Sequence, residues 1–185
     1  MAEFTYDEIK EYFREALEML YNKEKRLIEI SISERLLVHY LAIYFEKIVK
    51  KYRGNISNLN VDVEYNRKGD ENTSKNSPTT NKCCTIDMIL HERTCPDNNI
   101  LCVEAKWRNN KYNIKSDRER VKALMKKSNN EKVPQYMYGV CVVFGINSIK
   151  CCYFNRKENK VISENIKYKL DTKQYKKIYL TDSKL

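Results

Sequence analysis

The chain has 185 residues, enough to bury a single core without disulfide support, and its 35 basic against 25 acidic residues leave a net charge of +10. That balance suits a polyanion, although a membrane surface attracts the same charge. Seven cysteines with no C-x-x-C pair, only His39 and His91 as histidines, and adjacent pairs at Cys83-Cys84 and Cys151-Cys152 argue against a zinc site or a disulfide framework, and no stretch approaches the roughly 20 apolar residues of a membrane span.

The N-terminus opens with Thr5-Tyr6-Asp7-Glu8, a capping box, with Phe4 and Ile9 placed as its hydrophobic staple. Ile9, Tyr12, Phe13, Ala16, Leu17 and Leu20 then form an apolar stripe at helical spacing. This charged amphipathic start has no central apolar run, so no signal peptide is expected and the protein is predicted to be cytoplasmic and reduced. A second helix is predicted from about Ile32 to Tyr52, with Leu36, Leu37, Tyr40, Leu41, Tyr44 and Ile48 facing inward. At its start Glu34 has two readings. Ser31-Ile32-Ser33-Glu34 fits a capping box, yet Glu34 also lies one turn before Leu37 and Val38, on the face that buries.

Leu59, Val61, Val63 and Tyr65 alternate with polar residues as a half-exposed strand, and Tyr65 and Asn66 at its end either line a cleft or serve packing and a turn. From Arg67 to Lys82 the composition turns to Lys, Gly, Asp, Asn, Ser, Thr and Pro, which reads as a loop. Thr85 to Leu90 and Ile100 to Trp107 read as neighbouring strands separated by the turn-forming stretch Thr94 to Asn99. Alternation along the second of these points Glu104 and Lys106 one way and Val103 and Ala105 the other, and a hairpin brings Asp87 alongside. Asp87 and Glu104 interrupt apolar runs, where charges are costly unless they are paired or bind metal. Their plain alternative is ion-paired carboxylates on an edge strand, with Lys106 as one more surface lysine.

Two carboxylates are hard oxygen ligands suited to Mg²⁺ or Mn²⁺, and a nearby ammonium can orient or deprotonate water or neutralise a phosphorane-like transition state. A lysine used as a base needs a depressed pKa. Ile86-Asp87 followed by Glu104-Ala105-Lys106 resembles the PD-(D/E)XK nuclease motif, with Ile86 where the family name has Pro. The resemblance implies an α/β (α+β) fold with an αβββαβ restriction-endonuclease-like core, a mixed central sheet flanked by helices. It also implies Mg²⁺ (or Mn²⁺) held by Asp87 and Glu104, and an acidic residue of the first core helix, here Glu34, as a further ligand or orienter. The order of predicted elements agrees over residues 31–154. Residues 1–30 then form an N-terminal helical extension and residues 155–185 a C-terminal one, all within a single domain.

Ser116-Asp117-Arg118-Glu119 is another capping-box pattern, opening a helix that carries Val121, Leu124 and Met125, and Asp117 reads first as a helix N-terminal acid and second as a cleft residue. Between Arg108 and Gln135 there are nine Lys or Arg against three acids, so Lys111, Lys115, Arg118, Arg120 and Lys122 are candidates to grip a nucleic-acid backbone. Tyr138 to Phe144 is a continuous apolar run that reads as a central strand. Gly145-Ile146-Asn147 turns it into a strand at Ile149 to Phe154, and Cys102, Cys141 and Cys151 sit in strands as small buried apolar residues. The tail from Ile166 to Leu180 adds a helix or an edge strand, and tyrosines offer stacking surfaces for bases.

Two functions stay open. One is a metal-dependent nuclease, with DNA the preferred substrate over RNA, in bacterial or phage DNA processing or defence. The other is a catalytically silent nuclease-fold module that binds nucleic acid or a partner protein. A homodimer would present two sites for double-strand cleavage, and a partner protein would recruit or restrain so small an enzyme.

Overall fold

The computed structural model describes residues 4–54, 58–65, 85–93, 95, 98–108, 114–126 and 135–167. Helix α1 (Tyr6–Lys23) begins at the expected capping box: the Thr5 hydroxyl accepts from the Glu8 amide at 3.2 Å, and the Glu8 carboxylate accepts from the Thr5 amide at 2.8 Å. Its stripe is buried from Ile9 through Leu20. Phe13 meets Phe45 and Tyr153 edge-on, with ring centroids 5.9 and 6.2 Å apart, and the Tyr21 hydroxyl donates to the Gly145 carbonyl at 2.8 Å. The helix expected as an extension is therefore a wall of the main core. A short α2 (Lys25–Glu29) leads to α3 (Glu34–Arg53), whose last-turn cations Lys50, Lys51 and Arg53 complement the helix dipole before Gly54 takes a φ of +71°. Leu37, Leu41, Phe45 and Ile48 of α3 are buried, whereas Leu36 and Tyr40, expected inward, are only half-buried.

Strands β1 (Leu59–Tyr65), β2 (Ile86–Glu92), β3 (Asn99–Trp107), β4 (Tyr138–Phe144), β5 (Ser148–Asn155) and β6 (Lys160–Lys167) form one six-stranded sheet in sequence order. All neighbours are antiparallel except β3 and β4, which run parallel and are connected through α4 (Ile114–Met125). A parallel pair needs such a crossover because the chain must return to the same end of the sheet. Helices α1 and α3 cover one face, on which Met88, Leu101, Val103, Ala105 and Val140 lie. Helix α4 covers the other, over Ile89, Cys102, Cys141 and Cys152. With both faces covered, β4 is buried at every position, as its unbroken apolar run predicts. The protein is thus mixed α/β, with a mixed sheet flanked by helices.

The cysteines expected to be buried are buried, and they are free thiols. Strand β6 was not expected from the sequence and reaches only the first two residues of the tail read as a helix or edge strand; residues 168–185 lie outside the described residues, as does the loop read from Arg67 to Lys82. Among the described residues no helix is long and apolar enough to cross a membrane.

Two local features tie the fold to the ends of β2 and β3. At Gly139 a Cβ would stand 2.3 Å from Val121 Cγ1 and 2.7 Å from Met125 Sδ, so only glycine lets α4 seat this closely on β4. Side-chain alternation also breaks in β1 and β2 at the same level. Val63 and Met88 pack toward α1 and α3, but Tyr65 and Ile86 pack toward α4, and between them Glu64 has a φ of +50°. A left-handed glutamate costs energy that the surrounding structure has to hold, and it sits opposite Asp87.

Candidate active site

Pairing between β2 and β3 runs out at Met88 and Val103. One residue further, the Asp87 carboxylate takes over the ladder's role, accepting the Ala105 amide at 2.8 Å. Asp87 is therefore fixed against β3 by a hydrogen bond that any strand end would otherwise give to water. Burial raises its pKa, and neighbouring Glu34 adds to the rise; the Ala105 hydrogen bond, Lys106 and Arg120 oppose it.

Glu104 lies on the α4 face with its side chain only 1% exposed, and its partner is Arg120, with Nη2 3.3 Å from Oε1. That contact is an ion pair without hydrogen-bond geometry, so Oε1 is buried with no hydrogen bond. Burial first, and the Asp87 charge second, push the Glu104 carboxyl up to about 8, against the pull of Arg120 and Lys106.

Glu34 is not the closing residue of a capping box. The cap is Ser33, whose hydroxyl accepts from the Leu36 amide at 3.4 Å, and Glu34 is the first residue of α3. Its carboxylate instead accepts from Lys106 Nζ at 3.1 Å and from the Trp107 amide at 2.9 Å. Glu34 thus fastens the N-terminus of α3 to the end of β3 and fixes the Lys106 ammonium. Burial works to lower the pKa of Lys106, but the Glu34 hydrogen bond and the charges of Asp87, Glu34 and Asp117 outweigh it, so the net shift is upward. Lys106 is thus held as a cation among these neighbours, whereas use as a base needs a depressed pKa.

Asp117 is corrected as well. Helix α4 starts at Ile114, ahead of Ser116, so the capping-box alignment does not hold, and Asp117 sits in the first turn. Its Oδ2 is buried without a hydrogen bond, and burial raises its pKa while Lys106 and Arg120 act downward. The first-turn position suits an acid, yet the side chain shares its electrostatic neighbours with Asp87 and Glu104. Helical spacing puts Asp117 and Arg120 on one face of α4.

The expected phosphate-gripping residues divide. Arg120 turns inward to Glu104 and donates to the Thr85 carbonyl, and Arg118 turns inward to Cys152 Sγ. Both therefore leave the solvent-facing set, because α4 lies close enough to the sheet for long side chains to reach its polar atoms. Lys115 and Lys122 are exposed, with Lys122 3.3 Å from Glu119. Lys111 and Asn66 lie outside the described residues. Tyr65 lies against His91, ring centroids 4.7 Å apart, and packs half-buried with the α4-side cluster, the packing role of its two readings. His91 in turn pairs with Asp62 at 2.8 Å.

A groove of about 610 Å³ opens beside this cluster between α3 and β1, and Ser33, Glu34, His39, Val63, Glu64 and Asp87 are among its lining residues. The site that emerges is four carboxylates, Glu34, Asp87, Glu104 and Asp117, interleaved with Lys106 and Arg120 at one end of the sheet. Among the described residues no three His, Cys, Asp or Glu side chains converge into a ready-made ion cage. No family model matches this chain, and no curated protein or solved structure matches it. Sequence reasoning placed Arg120 among the residues that grip a nucleic-acid backbone and missed its pairing with Glu104. The available signal was its i+3 spacing from Asp117 on a helix that follows the Glu104 strand.

Proposed function

We propose that the protein is a divalent-metal-dependent nuclease, a phosphodiester hydrolase with DNA as the preferred substrate. The observation that carries this reading is the joint placement of Asp87, Glu104 and Lys106 at adjoining strand ends, with Asp87 bonded to the Ala105 amide and Glu34 bonded to Lys106. A buried Glu104 beside a half-buried Asp87 that lines a groove is an expensive arrangement for stability alone. The element order α3-β1-β2-β3-α4-β4, with an antiparallel meander and one parallel crossover, supports a restriction-endonuclease-like core.

The donor set suits Mg²⁺ (or Mn²⁺), which takes one or two carboxylates and fills its remaining positions with water and substrate oxygens. Asp87 and Glu104 would hold it, with Glu34 as the nearest further carboxylate; the hydrogen-bond-free Oε1 of Glu104 offers a buried acceptor for that purpose. When bound, such an ion supplies an activated water and neutralises charge on the phosphoryl oxygens. The chain's own residues do the rest. Lys106, held by Glu34 and unable to lose its proton readily, offers a cation to the transition-state charge. Asp87 keeps its place through Ala105, and exposed Lys115 and Lys122 offer positive charge to the flanking backbone.

A second reading, a silent binding module, draws on the internal pairing of Lys106 with Glu34 and Arg120 with Glu104. Incubation with supercoiled plasmid, linear duplex, single-stranded DNA and RNA, in Mg²⁺, Mn²⁺ or EDTA, separates the two. The nuclease reading expects metal-dependent cutting that Asp87→Asn and Lys106→Ala abolish. Binding without cutting on every substrate would leave the module reading.

A further inference from the structure

We propose that Arg120 is a built-in counter-cation, occupying the space between Glu104 and the start of β2 that a divalent cation takes, and that metal entry displaces it. The inference rests on the metal-dependent reading above. Arg120 comes from α4, yet its guanidinium spans from Glu104 on β3 to the carbonyl of Thr85, two residues before Asp87. It therefore lies between the elements that carry the two proposed ligands.

Its contact with Glu104 is also of a replaceable kind. Structural arginine–carboxylate pairs in buried sites are commonly bidentate and hydrogen-bonded, because that geometry offsets the loss of water. Here Arg120 Nη2 donates to the Thr85 carbonyl, the Glu104 oxygen 3.3 Å away receives no hydrogen bond, and Arg120 stays 31% exposed while Glu104 is 1% exposed. Withdrawing the guanidinium toward solvent breaks no hydrogen bond to Glu104.

Charge counting points the same way. Four carboxylates, Glu34, Asp87, Glu104 and Asp117, face two cations, Lys106 and Arg120, so the ionised cluster is net negative and becomes more so when Arg120 withdraws, which favours a divalent cation over the single charge it replaces. A single charge from Arg120 keeps the metal-free cluster together without completing it.

The test is calorimetric titration of Mg²⁺ into the full chain and into Arg120→Gln at pH 9, where protons compete less for the carboxylates, together with DNA binding in EDTA. Displacement predicts that Arg120→Gln binds Mg²⁺ at least about tenfold more tightly, because a like charge has left the site. In the unmodified protein, the Arg120 guanidinium N–H resonances should shift as Mg²⁺ is added and the Nη2 contacts to Glu104 and Thr85 open, a readout that needs no variant to fold. Unmodified protein that binds Mg²⁺ with no tightening in Arg120→Gln and static guanidinium N–H signals would overturn the inference and leave the metal reading standing. Weaker DNA binding with unchanged Mg²⁺ affinity would likewise overturn it, assigning Arg120 to the phosphate backbone. No Mg²⁺ binding by either protein would remove the metal reading and this inference together.

Discussion

At the scale of single residues, Glu104 makes a pH prediction with a definite sign. Its folded pKa of about 8 lies above the ordinary 4.5, so between those values the folded protein holds a proton that the unfolded chain has released. Stability from this group is complete below the ordinary pKa and is lost as pH rises through the folded value; the raised pKa of Asp87 adds in the same direction. Metal-free protein should therefore melt at a lower temperature at pH 8.5 than at pH 6. Glu104→Gln, which cannot ionise, should flatten that slope and gain on the order of 2 kcal/mol at the higher pH. Thermal denaturation in EDTA across pH measures it, and an unchanged slope in the variant would reject the assignment. Asp87 makes a second prediction. Asp87→Ala leaves the Ala105 amide unpaired and should cost roughly 1–3 kcal/mol, whereas Asp87→Asn keeps an acceptor and should fold nearly as well while losing metal-dependent activity. Urea unfolding of the two variants side by side, with plasmid cutting, checks both halves.

At the scale of elements, the seat of α4 on the sheet decides the site, because α4 brings Asp117 and Arg120 against Glu104. That seat depends on Gly139. Gly139→Ala puts a methyl where Val121 and Met125 already stand, and the helix has to shift or the core to strain. The expected cost is about 1–3 kcal/mol, with metal affinity and activity falling further than in a surface control such as Lys126→Ala. Equal metal affinity in Gly139→Ala would show that the position of α4 is unimportant to the site. On the opposite side, Glu34 does for α3 what Asp87 does for β2, substituting a carboxylate for a missing ladder partner at the end of β3. Two elements thus converge on one strand end through side chain to backbone hydrogen bonds, and both anchors are themselves acidic site residues.

At the scale of the whole molecule, the net charge of +10 predicts salt-dependent attraction to nucleic acid. With two of the five expected gripping residues turned inward, Lys115 and Lys122 carry the exposed part of the prediction. Changing both to Glu should weaken duplex binding about equally across sequences and reduce the slope of log affinity against log salt by about two or more. Fluorescence anisotropy in EDTA at several salt concentrations measures this apart from cleavage. An unaltered slope would move the contact surface elsewhere.

Much of the fold was readable before any coordinates, and the reasons are local. Thr5 and Glu8 sit three apart and can only cap; Tyr138 to Phe144 is apolar throughout and suits a strand covered on both faces; Asp87, Glu104 and Lys106 stand out because charge inside an apolar strand needs a partner. Alternation and helical spacing carry such information because each depends on neighbours within a few residues. What only the tertiary structure decided depends on long side chains and distant partners. Glu34 read equally as a cap and as a residue of the buried face until Trp107 and Lys106 were brought beside it; Arg118 and Arg120 looked like surface charges until α4 met the sheet; and β6, with its mixed polar sequence, becomes a strand because β5 offers it an open edge. Sequence by itself determined which charged residues interrupt apolar strands, and packing determined which charges face one another, because an ion pair is set by distance in space and not by separation along the chain.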